Sequence, residues 1–153
     1  MKESVLKLHI ELVPSTVWES SLYRLMPREV WNGIRDDFIK ENGRNCQVCG
    51  EAEGAMNLHE IWNYDDRKHV QKLEGFILLC KMCHHVKHIG LAGILANQGK
   101  LDYDKVIEHF CNVNDCTKKE FENHRTEAFE IWGKRSEQKW KQDFGKYEEF
   151  IKR

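Results

Sequence analysis

The sequence predicts an α+β fold organised around bound metal, and three observations predict it. Short segments alternate apolar and polar residues with a period of two, the mark of a half-buried strand, and longer stretches carry apolar stripes with helical spacing. Two Cys-x-x-Cys pairs, Cys46/Cys49 and Cys80/Cys83, are separated by 30 residues. The stretch 44–90 that holds them has five of the eight histidines and little amphipathic periodicity before position 81, as expected where metal ligation replaces apolar burial. The organisation read from these features is one domain over 1–153: an N-terminal strand and helix (1–43), a metal-bound core (44–90) and a helical extension (91–153).

Bulk properties narrow the function classes. A chain of 153 residues buries a working core without disulfides. With 41% hydrophobic and 32% charged residues it is neither disordered nor membrane-spanning, and no apolar run approaches the roughly 18 residues a span needs. The N-terminus has no apolar signal region, so cytoplasmic residence is expected, and in a reducing compartment paired Cys-x-x-Cys motifs hold metal more readily than they form disulfides. A net charge of -1 supplies no global field for nucleic acid, so any phosphate binding has to be local.

The elements follow in order. Leu6, Leu8, Ile10 and Leu12 alternate with Lys7, His9 and Glu11, which predicts a strand over 5–13 that Pro14 ends. Pro27, the stripe Val30, Trp31, Ile34 and Phe38, and the stop Asn42-Gly43 predict a helix over 27–41. Residues 56–62 alternate like a strand, and Cys83 is expected to open a helix. Tyr103, Val106, Ile107 and Phe110 share a helical face that breaks at 112–115. Thr117 with Glu120 forms a capping box for a long helix carrying Phe121, Ala128, Ile131 and Trp132. Lys and Arg in this tail are interleaved with Asp and Glu, which reads as a solvated face. Trp18, Trp31, Trp132 and Trp140 lie in apolar patterns and are expected in the core or at an interface.

The two cysteine pairs have the layout of two knuckles closing a tetrahedral site for a structural Zn2+ ion, with Gly50 easing the first turn. Cys111 and Cys116 are spaced too widely for such a knuckle and read as free thiols. Directly after the second pair comes His84-His85-Val86-Lys87-His88, where the i, i+4 spacing puts His84 and His88 on one helical face and turns His85 elsewhere. With His59 they form a candidate second metal site. In a regular strand, His59 and Glu60 point to opposite faces unless a bulge intervenes.

Cys-x-x-Cys, then Leu58-His59-Glu60-Ile61, then Leu78-Leu79-Cys80-Lys81-Met82-Cys83-His84 with His88, resembles the HNH endonuclease family over 46–90. The resemblance implies a zinc-knuckle-containing ββα-metal, treble-clef-like core that cleaves phosphodiester bonds with one divalent cation such as Mg2+, Mn2+, Ni2+ or Zn2+. It implies His59, His84 and His88 as the ligands of that catalytic metal and Glu60 as the general base. Two positions depart from the family pattern: Glu60 stands where a histidine is usual, and Gly75 stands where an asparagine usually braces the base. The stretch 62–69 is expected as a loop facing the DNA backbone, with Arg67, Lys68 and Lys87 contacting phosphates. Nucleic acid, DNA ahead of RNA, is then the implied partner and no membrane is involved. The rival reading is a catalytically degenerate zinc module that binds a protein or nucleic-acid partner.

Overall fold

The computed structural model describes residues 6–151. It is an α+β molecule with one three-stranded sheet. After a 3₁₀ turn, Ser15–Val17, come the short helix α1 (Leu22–Leu25) and the helix α2 (Arg28–Asn42). The strands β1 (Met56–Asp65) and β2 (Val70–Cys80) form an antiparallel hairpin, followed at once by α3 (Lys81–Lys87) and then α4 (Ile89–Asn97). Helices α5 (Tyr103–Asn114) and α6 (Lys118–Arg135) precede a three-residue strand, β3 (Lys141–Asp143), which adds parallel to β2. A last 3₁₀ segment covers Gly145–Phe150. Among the described residues no helix is long and apolar enough to cross a membrane.

Local chemistry accounts for the helices. Gly43 ends α2 with φ 88°, a left-handed conformation costly for any residue with a Cβ, and its N–H reaches Ile39 O at 2.7 Å. Pro27 caps α2 instead of entering it. At α6 the capping box is complete, with Thr117 and Glu120 each accepting from the other's backbone N–H. Helix α4 is not announced by periodicity, because apolar residues lie on all its sides. The third strand was also not expected; it is three residues long, too short to show alternation.

The N-terminal segment differs from expectation. Val5 lies outside the described residues, and 6–13 forms no strand. Its alternation survives in burial, with Leu8 and Ile10 inside and Lys7 and His9 exposed. Its backbone groups, however, pair with side chains and a helix end. Asn114 Oδ1 accepts from Lys7 N and Leu8 N at 2.8 and 3.0 Å, His124 Nε2 accepts from Ile10 N at 2.9 Å, and Lys87 O accepts from Glu11 N at 3.1 Å. Period-two burial thus reports an extended chain packed between helices, and strand identity needed a neighbouring strand that is not there.

His124 must be neutral to accept from Ile10, and burial holds its pKa below the ordinary 6.5. A folded-state pKa below the unfolded one means that folded protein binds fewer protons. This contribution is therefore complete above about pH 6.5 and is lost as pH falls through the folded value. Urea midpoints are expected to drop between about pH 7.5 and 5, with His124 accounting for roughly 1 kcal/mol, one hydrogen bond's worth. His124→Gln, which keeps an acceptor and does not titrate, is expected to flatten that part of the drop.

The core joins the sheet to α3, α5 and α6 through Leu78, Leu79, Val86, Phe110 and Phe121, all fully buried. The β1–β2 register is regular from Met56↔Cys80 to Ile61↔Gly75 and then slips, so that Trp62 pairs with Leu73 and Glu74 is left over. This bulge lies beyond His59 and Glu60 and leaves them on opposite faces of β1.

Candidate metal centres

The first knuckle is laid onto the end of β2 by Gln47, which uses both its backbone and its side chain. Gln47 N donates to Leu78 O at 2.9 Å, and Gln47 Oε1 accepts from Leu78 N at 2.9 Å. Gly50, with φ 85°, closes the turn by donating to Cys46 O. Two residues beyond Leu78, Cys80 ends β2 and caps α3, and Cys83 sits in the first turn of that helix. The four sulfur atoms thereby lie within 4.8 Å of one another, with Cys49 Sγ and Cys80 Sγ 3.6 Å apart. A tetrahedral zinc–thiolate site, with Zn–S near 2.3 Å, has S···S edges of about 3.8 Å, so the cluster is already close to that shape.

The donors fit zinc chemically as well. Cys49 N and Cys83 N each point at a sulfur three residues back, Cys46 Sγ and Cys80 Sγ, at 3.5 Å. Burial pushes the Cys46 thiol up, but the N–H groups of Cys49, Cys80 and Val48 more than offset it and hold it at about 7. Burial together with that neighbouring thiolate pushes Cys80 to about 11 and Cys83 higher still. One thiolate is thus favoured in the bare cluster, and a dication is what lets the others ionise. His109 Nε2 lies 3.2 Å from Cys83 Sγ, a hydrogen-bond partner for that sulfur that the sequence did not point to. Cys111 and Cys116 stand apart from this cluster as free thiols.

The second cluster joins two elements. His59 leaves β1 on the face covered by α3, where His84 and His88 stand one turn apart. Ring centroids are separated by 4.6 Å for His84/His88, 5.1 Å for His59/His88 and 5.8 Å for His59/His84, and one donor atom from each lies within 4.8 Å of the others. Burial, and then the neighbouring His88 and His59, holds His84 at about 3, and burial with the neighbouring His59 holds His88 at about 4, below the ordinary 6.5. Neutral imidazoles at pH 7 have the free lone pairs that a divalent cation needs. His85 is not in the group.

Glu11, from the N-terminal segment, organises this cluster. Its Oε1 receives His59 Nε2 at 2.9 Å and Lys87 Nζ at 3.4 Å, and its Oε2 receives His9 Nε2 at 3.0 Å. Although burial pushes its carboxyl up, the bonds to His59 and His9 and the Lys87 charge hold it far below the usual carboxylate range. A carboxylate only accepts, so His59 donates from Nε2 to Glu11 and Nδ1 is the nitrogen left to face a metal, the carboxylate–histidine arrangement common in metal sites. Both Glu11 and His9 lie outside the stretch that resembles a known family. Their one sequence signal is that they share the polar face of 5–13, which reads as solvated until α3 is packed against it.

Four expected residues stand elsewhere. Glu60 faces α1, and its two oxygens accept from Leu22 N and Tyr23 N, each at 2.9 Å. Burial raises its pKa, opposed by those two N–H groups. Residues 62–69 are not a loop: β1 continues to Asp65, and Asp65 Oδ1 accepts from Arg67 N and Lys68 N to form a tight turn. Arg67 and Lys68 are thus exposed at a hairpin tip on the order of 20 Å along β1 from His59. Lys87 is buried at 3% exposure, paired with Glu11, and out of reach of a surface phosphate. Gly75 sits in β2 opposite Ile61, beside the bulge.

The three histidines, with His9 and Glu60, line a cleft of about 1190 Å³ between α1–α2 and α4–α6. Compared with known proteins, the chain matches no family model, no curated protein and no solved structure.

Proposed function

We propose that this chain is a metal-dependent nuclease of the HNH type, with Zn2+ at Cys46, Cys49, Cys80 and Cys83 holding the fold. A second divalent cation is held by His59, His84 and His88. The observation that carries this reading is the meeting of three imidazoles at a large cleft, directly after an antiparallel hairpin and the knuckle-bound start of α3. A cation there would supply Lewis acidity at a phosphoryl oxygen and stabilise the leaving oxygen. The chain's own part is to hold that ion with three ligands, fix the His59 ring through Glu11, and accept a proton from water.

Two residues compete for the proton. Glu60 is the one the family pattern points to, and it would have to release one of its bonds to the α1 N-terminus. His9 lines the same cleft, and Glu11 holds its Nε2 as it holds that of His59, which leaves Nδ1 to accept. A nicking assay with supercoiled plasmid and with single-stranded DNA and RNA, in Mg2+, Mn2+ or Ni2+, separates them. We expect His9→Ala to lower the rate by roughly 10²- to 10⁴-fold and Glu60→Gln to lower it much less. The opposite order would return the role to Glu60. No cleavage with any metal would favour the non-catalytic zinc module, for which the commitment of both Glu60 oxygens to backbone N–H groups is the supporting observation.

A further inference from the structure

The cleft has two chemically different contributors. From α1 and α2 come Arg24, Arg28 and Arg35. Arg35 has an exposed partner in Asp36 at 3.3 Å, whereas Arg24 and Arg28 are in no ion pair among the described residues. Arg28 lies over the Tyr23 ring at 4.1 Å. Although the chain as a whole is near neutral, this side of the cleft is locally basic.

The other side is aromatic and unusually exposed. Trp18 is 59% accessible and Phe129 38%, yet neither ring hangs loose. Trp18 Nε1 and Trp132 Nε1 both donate to the same carbonyl, Val13 O, at 2.8 and 3.0 Å. Their rings stack at 6.3 Å and 26°, and Phe129 meets Trp132 edge-on at 6.0 Å. The result is a fixed aromatic platform facing solvent, with its polar edges already satisfied. The cleft is larger than the roughly 300–1,000 Å³ of small-molecule pockets, which suits a stretch of polymer.

From these features we infer that the cleft binds single-stranded polynucleotide, with phosphates on Arg24 and Arg28 and unpaired bases stacked on Trp18 and Phe129. Arginines at phosphates and exposed aromatic faces at bases are the two components of single-strand binding, and a base inside a duplex has no free face for such a platform. The inference rests on the nuclease reading only for what happens to the strand once bound.

The test uses the full-length protein with its zinc and no other divalent ion added, so that binding is read without cleavage. Fluorescence anisotropy is followed with labelled oligo(dT), oligo(rU) and a duplex of equal length at several salt concentrations, the first two separating DNA from RNA. Single strands are expected to bind at least about tenfold more tightly than duplex. Trp18→Ala and Phe129→Ala are each expected to weaken that binding roughly 5- to 100-fold, with the protein still folded and its melting temperature only slightly lowered. Arg24→Gln with Arg28→Gln should make the slope of log affinity against log salt shallower by about 1.4. Duplex binding as tight as single-strand binding would overturn the inference, as would unchanged affinity in both aromatic variants. Binding as expected without any nicking would keep this site and remove the nuclease reading. Nicking of duplex without single-strand binding would do the reverse.

Discussion

Cys83→Ser is expected to abolish zinc binding and unfold the protein around α3. Cys83 is completely buried, sits in the first turn of that helix and bonds through its backbone to Cys80 Sγ, so the same replacement removes a ligand and leaves Cys46 and Cys80 buried without their ion. Structural zinc sites contribute on the order of 10 kcal/mol or more of binding free energy that appears as folding free energy, which is as large as the usual net stability of a domain. Cys80→Ser should do the same, whereas Cys111→Ser, outside the cluster, should leave zinc and melting nearly unchanged. Metal analysis together with a far-ultraviolet melting curve checks this. A Cys83→Ser protein that still holds one zinc per chain and melts normally would refute the assignment of these four cysteines.

The second large effect is expected at Glu11. His84→Ala removes one of the three proposed ligands and should abolish both the proposed second cation and any cleavage, with zinc retained. Glu11→Gln is more informative, because it leaves all three ligands in place. It removes the charge that fixes the His59 tautomer, and loss of such a partner typically costs 10- to 100-fold in metal affinity. It also leaves Lys87, buried and held by Glu11 alone among the described acidic groups, without its counter-charge. Breaking a buried pair from one side costs about 3–5 kcal/mol, so stability should fall as well. Lys87→Met with Glu11→Gln should recover much of the stability and none of the metal affinity. Cobalt titration by visible absorption, beside urea unfolding, reads the two separately. Unchanged cobalt affinity in folded Glu11→Gln would remove Glu11 from the site.

The amino-acid sequence by itself determined the parts of this protein that depend on short spacing. A two-residue gap between cysteines, a four-residue gap between His84 and His88, the capping box at Thr117 and the stop at Gly43 are local, because a turn or a helix brings such residues together whatever surrounds them. Sequence also showed that Leu8 and Ile10 are buried. It could not show what they are buried against, and so it read a strand where the backbone bonds run to Asn114, His124 and Lys87, more than 70 residues away.

Only the tertiary structure decided the electrostatics of the site. Glu11 reads as solvated until His59 of β1 and Lys87 of α3 pack against it, Lys87 reads as a surface cation until Glu11 is seen beneath it, and Glu60 reads as a free base until α1 delivers two backbone N–H groups to it. Each of these partners is distant in sequence, and whether a charged side chain meets water, a ligand or a counter-charge depends on long-range packing, which no local pattern records.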